Sequence, residues 1–227
     1  MIIFYIKRFF ILVLFMLAVF IVYAQQPDYY WEPKLSISKK LNNLWRIQGS
    51  VTFRQIIEND QPVILQKMES AVSIDRSLFN FSKVGGGYLF GGDDLFRPEV
   101  ENEHRFMQQY AFYFKFLKYR ISNRLRSEQR IYADTYKNRF RYRLSIDFPL
   151  NGEKLNLKEA YFIASNELLA NVTAKEHDFE NRLGAGMGWK LEKINKIQLQ
   201  LQYRYMKIGL PSESHAIFLA SAFYFKL

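Results

Sequence analysis

The chain has 227 residues, enough for one domain or one barrel, with 49% hydrophobic and 17% aromatic residues and a formal net charge of +10. It contains no cysteine, which excludes a disulfide framework, a thiolate metal site and acylation as a lipoprotein. An aromatic load of 15 Tyr and 21 Phe is high for a soluble enzyme and usual for a membrane barrel with aromatic girdles.

The first predicted element is a leader. Lys7 and Arg8 precede the apolar run Phe9–Tyr23, and Val22-Tyr23-Ala24 places small residues at −3 and −1 before Gln25. This predicts a cleaved signal peptide over 1–24 and an exported chain over 25–227. Losing Lys7 and Arg8 takes the charge from +10 to +8, a balance that suits anionic headgroups or acidic ligands. Export argues against nucleic acid as a partner. No later run reaches the roughly 18 apolar residues of a membrane helix, so strands must do any embedding.

Strand-like segments follow at 29–38, 44–57, 65–78, 83–91, 103–116, 119–133, 137–149, 155–166, 178–191, 195–208 and 214–227, with no sustained helical period. Bacterial single-chain barrels have an even number of strands and both ends in the periplasm. The expected fold is therefore an all-β, antiparallel transmembrane β-barrel of ten strands, with 29–38 as a periplasmic lead-in. Twelve strands, with one unrecognised, is the alternative. The longest connections, Gly92–Asn102 and Glu167–His177, fall on one side of this barrel. The tight ones, Leu117–Lys118, Leu150–Lys154 and Glu192–Ile194, fall on the other, as short periplasmic turns do.

The faces of these strands differ sharply. In Asn138–Phe148, Arg139, Arg141, Arg143, Ser145 and Asp147 alternate with Phe140, Tyr142, Leu144, Ile146 and Phe148. Successive strand residues point to opposite faces, so one face is charged and the other is apolar. Three arginines are too costly for a dry core, but they suit a wet lumen behind a lipid-facing wall. The preceding strand repeats the pattern with Arg120, Arg124, Arg126, Glu128 and Arg130. With Asp147, Glu159, Glu180 and Arg182 they form an expected lumenal charge network. The same cationic face is also what a narrow anion-preferring pore requires. The last strand, ending Phe223-Tyr224-Phe225-Lys226-Leu227, is similar to the signal read by the barrel-assembly machinery.

Asp93, Asp94, Glu99, Glu101 and Glu103 gather hard oxygens in the long 92–102 connection and its flank, a candidate Ca²⁺ site that could bridge lipopolysaccharide phosphates. Their spacing matches no specific motif, and a solvated acidic loop is the plainer reading. His104, His177 and His215 lie at strand ends, and none has a nucleophile beside it on its own face, so no catalytic residue, cofactor or enzymatic activity is expected. Gly184, Gly186 and Gly188 share one face, which leaves room for arginines or allows coiling of the strand. Trp31, Trp45, Trp189, Tyr29, Tyr30 and Tyr88 read as girdle residues.

Five segments together resemble a family of bacterial outer-membrane proteins, domain of unknown function 2490. They are Lys39-Lys40-Leu41 with Trp45-Arg46, Arg126-Ser-Glu-Gln-Arg130, Asn138-Arg-Phe-Arg-Tyr-Arg143, Ala164-Ser-Asn-Glu167, and Phe179-Glu-Asn-Arg-Leu183 before the spaced glycines. The resemblance implies a barrel in the outer membrane of a Gram-negative cell and carries no substrate or residue roles. The functional expectation is an outer-membrane barrel, structural, adhesive or porin-like with an anion preference, in contact with membrane lipids. Two alternatives are a lipid-modifying enzyme (a lipid A or phospholipid hydrolase) and a soluble periplasmic barrel holding an amphiphile on an inward apolar face.

Overall fold

The computed structural model describes residues 27–57, 64–79, 81–93, 102–174, 176–191 and 195–227. The leader expected over 1–24 lies outside them. Eleven strands form among the described residues: β1 (Asp28–Lys40), β2 (Trp45–Ile56), β3 (Ile64–Phe79), β4 (Ser82–Asp93), β5 (Asn102–Phe116), β6 (Tyr119–Ile131), β7 (Tyr136–Pro149), β8 (Ala160–Val172), β9 (His177–Lys190), β10 (Lys196–Met206) and β11 (Ser214–Lys226). Each pairs antiparallel with its sequence neighbours, and β1 closes the ring on β11. Closure leaves no strand edge unpaired, which is what a barrel surrounded by lipid requires.

The expected ten or twelve strands are corrected to eleven, and the supposed lead-in 29–38 is a full barrel strand, β1. The closing pair carries the consequence. With an odd number of alternating strands, the first and last run in the same direction. β1 and β11 are accordingly parallel, from Asp28 opposite Ala216 to Ser38 opposite Lys226. The two ends of the described barrel therefore sit at opposite rims. The C-terminal rim holds connections 41–44, 117–118 and 150–159, and Leu227 donates its amide to the Ser38 carbonyl there at 2.8 Å. The N-terminal rim holds 132–135 and 207–213, with the end of β8 and the start of β9.

Of the two connections expected on a common side, Gly92–Asn102 lies largely outside the described residues, and Glu167–His177 falls at the N-terminal rim. The second shrinks, however, because residues 167–172 belong to β8. Leu150–Lys154, expected as a tight turn, belongs to the longer connection 150–159. There the Glu159 carboxylate accepts hydrogen bonds from the Asn156 backbone amide at 2.7 Å and side-chain amide at 3.1 Å, and Gly152 and Lys158 take positive φ. Leu155 and Leu157 imitate strand alternation within this loop, while Ser165-Asn166-Glu167 imitates a turn in mid-strand.

The apolar parity faces out: Phe140, Tyr142 and Leu144 are exposed, as are Leu199, Leu201 and Leu219 on the far side. A band of this extent is not tolerated on a soluble surface. The alternative of an apolar interior holding an amphiphile is thereby overturned. Trp31, on the outer wall, donates its indole N–H to Ser221 across the β1–β11 seam at 3.0 Å. Tyr30 is corrected from girdle to lumen, where it stacks on Phe218 with ring centroids 4.6 Å apart.

Candidate functional site

The inward parity of every strand carries at least one polar side chain, and these meet in the lumen. Glu103 forms the densest node. Its carboxylate, 1% exposed, accepts from Lys67 at 3.0 Å, from Arg105 at 2.7 Å and from Arg130 at 2.6 and 2.8 Å. Arg105 also reaches Glu69 at 3.0 Å. A buried carboxylate is tolerable only when such donors replace its lost water. Glu103, expected in the acidic loop, is thus corrected to a lumenal residue of β5 with its oxygens committed to cations. Asp94, Glu99, Glu101 and the side chain of Asp93 lie outside the described residues. Among the described residues no group of three or more His, Asp or Glu is arranged to hold a metal ion.

A second node joins Arg141 to Glu128 and Glu167, each at 2.8 Å, while Arg124 takes the other Glu167 oxygen at 2.9 Å. Arg126 donates to Gln109 at 2.7 Å and lies 3.6 Å from Glu128. Towards the C-terminal rim, Arg120 pairs with Asp147 at 2.9 Å. Arg182 pairs with Glu180 at 2.6 Å, and Arg139 donates to Asn171 at 2.5 Å. The expected network is therefore brought together with one exception. Glu159 bonds to Asn156 in the rim connection and takes no part in the lumen. Those bonds hold its carboxyl below the usual range.

Several members were missed because their strands carry no run of like charges on one face such as β7 has. Glu32 of β1 bridges Arg54 at 3.1 Å and Arg204 at 2.8 Å, and Arg204 lies 3.4 Å over the Phe218 ring. Asp75 gathers Lys83 at 3.1 Å and Gln109 at 2.7 Å. The signal was present in their parity, since each shares a face with the polar residues of its own strand.

Two cavities stack along the barrel axis. The inner one, about 420 Å³, reaches from mid-barrel towards the N-terminal rim. The other, about 510 Å³, opens at the C-terminal rim beside Lys40, Trp45 and Phe79. Both are lined by Arg124 and Arg143, which face each other across the β6–β7 pair and form the waist between them. Twelve Lys and Arg side chains line the inner cavity against four Glu. Arg143 donates only to Ser165 Oγ, at 3.2 Å, and no carboxylate among the described residues reaches it.

The spaced glycines make room for neighbours, though the arginines are not the ones that use it. A Cβ on Gly188 would run into the Tyr161 ring, and one on Gly85 into the Asp75 carboxylate. Tyr161 thereby lies flat across β9 and accepts from Gln198 at 2.7 Å. The histidines face outward at the N-terminal rim. His104 Nδ1 is 2.6 Å from the Tyr88 hydroxyl, and His215 Nδ1 is 2.6 Å from that of Tyr203, with Tyr205 stacked on the His215 ring.

The model of a family described as Protein of unknown function (DUF2490) matches residues 30–210, as the quoted motifs implied. None of the curated proteins compared with the chain matches it. Among solved structures the barrel is similar to LpxR from Salmonella typhimurium, with a TM-score of 0.52 and 8% identity over 80% of this chain and 84% of that one. At that identity the likeness carries the fold alone. It corrects one expectation: LpxR is an enzyme, so this architecture and its dispersed histidines give no ground for excluding catalysis.

Proposed function

The chain belongs to the DUF2490 family, and from that premise we propose that it is an outer-membrane β-barrel whose lumen forms a narrow path for small anions. The tight 117–118 turn supports reading the C-terminal rim as the periplasmic one. One observation carries the proposal, the excess of twelve cations over four carboxylates around the inner cavity, which shares Arg124 and Arg143 with the cavity at the rim. Fixed positive charge in a confined polar channel concentrates anions and repels cations. Planar-bilayer recording of the refolded protein tests it. A reversal potential shifted towards the anion equilibrium is expected, and absent or cation-selective conductance sinks the idea.

A second reading, a lipid-modifying enzyme, draws support from the likeness to LpxR and from His104–Tyr88 and His215–Tyr203 on the outer wall at one rim. Lipid headgroups reach that level of a barrel. Mass spectrometry of lipid A and phospholipids from overexpressing cells tests it, and unaltered lipids would discard it.

A further inference from the structure

The waist of the lumen differs from the rest of the network in what its cations lack. Arg124 and Arg143 are directly opposed in the β6–β7 register, and Arg126 faces Arg141 one step further on. Like charges directly opposite across a strand pair are unfavourable. Arg141 is neutralised by two carboxylates, but Arg124 has only a share of Glu167, and Arg126 reaches Glu128 no closer than 3.6 Å. The Nε atoms of Arg124 and Arg126 are buried without a hydrogen-bond partner, as are those of Arg46, Arg141 and Arg204. Across the lumen, Lys34 of β1 lies in the field of both arginines and, more weakly, of Glu32 and Glu69, and it forms no ion pair with a described carboxylate. Tyr224 of β11 lies in the field of Arg124 and Arg143, and it pairs with Ser36, two residues beyond Lys34 on the same inner face.

We propose that Arg124, Arg126, Arg143 and Lys34, with Tyr224, form a seat for a phosphoryl dianion, either free phosphate or the head of a small phosphomonoester. The proposal rests on the reading of the lumen as an anion path and names the ligand that path holds. Uncompensated charges withdrawn from bulk water are costly, and an anion between the walls offsets them. Guanidinium forks match the paired oxygens of a phosphate, while an ammonium contributes a compact point charge from the other side. A tetrahedral dianion can accept from several such donors at once, which chloride cannot do with the same directionality. The inner cavity of about 420 Å³ falls within the size range of small-molecule sites and exceeds the needs of phosphate alone.

The test uses the refolded, full-length exported barrel in detergent, with calorimetric titration by inorganic phosphate, glycerol phosphate and chloride at matched ionic strength. Saturable binding of either phosphate compound, absent for chloride, is expected. The tighter of the two identifies the source, free ion or ester. Arg143→Gln and Lys34→Gln should each weaken binding by about tenfold, the scale of a lost charged hydrogen bond. Lys39→Gln, on the outer parity of β1, should leave it unchanged. Neither seat variant strips a described carboxylate of its partner, and the heat-dependent gel shift of a folded barrel verifies that each has folded. Equal heats for phosphate and chloride, or wild-type affinity in both seat variants, would overturn the seat. Anion-selective conductance without phosphate binding removes the seat and leaves the path. Phosphate binding without conductance removes the path and leaves a closed seat.

Discussion

Glu103 and Arg143 stand on the same inner wall, two strands apart, in opposite circumstances. Around Glu103 three cations converge on one carboxylate with hydrogen bonds of 2.6 to 3.0 Å. Arg143 is opposed by Arg124, and among the described residues its own side chain finds only a serine hydroxyl. The first arrangement satisfies its charges from within the protein and ties β3, β5 and β6 together. The second leaves positive potential facing a cavity. A saturated network is a structural device and an unsaturated one is available to a solute, although both are built from the same residue types.

Substitutions can break this contrast. Glu103→Gln should have the largest effect, a loss of about 3–5 kcal/mol, because it leaves Lys67, Arg105 and Arg130 around a neutral amide. Urea unfolding in detergent micelles measures it, and a near-wild-type midpoint would remove the structural role of the node. Gly188→Ala should cost about 1–3 kcal/mol, since the new methyl meets the Tyr161 ring and forces repacking of the wall. Thermal gel-shift curves read that loss. Arg143→Glu should change stability by less than about 1 kcal/mol, or raise it, by placing opposite charges across from each other at Arg124. Its reversal potential should move towards cations, and an unchanged potential would show that the waist does not govern selectivity. Glu159→Gln should be the smallest perturbation, a slight loss of stability at neutral pH that fades in acid. Bonds from Asn156 lower its folded pKa, so its contribution is present above the ordinary carboxylate value and is lost as pH falls through the lowered one. An equal loss at neutral and at acid pH would contradict the role given to its carboxylate.

The β6–β7 wall was legible because its alternation is strict. Once Phe140 and Tyr142 face lipid, Arg139, Arg141 and Arg143 have no direction left but inward. Glu32, Lys34, Lys67 and Arg204 were harder to see, because isolated or mixed-sign charges on a strand resemble ordinary surface polarity. Glu103 was misassigned for a related reason: sequence proximity grouped it with the loop acids, while strand parity placed it with Arg105. The turn before β8 was misread because leucine alternation in 155–157 resembles a strand when viewed without its partners.

The sequence by itself determined that the chain is a barrel of alternating faces, because side-chain period and solvent preference are local properties of each strand. It also held the count of eleven segments, although evenness in related architectures argued against it. Only the tertiary structure decided that β1 closes on β11 in parallel, since closure depends on how both ends of the sheet meet. Likewise, only the tertiary structure decided which arginines are neutralised. Ion pairing is set by which charges arrive at the same height in the lumen, and strand register fixes that height across the whole ring.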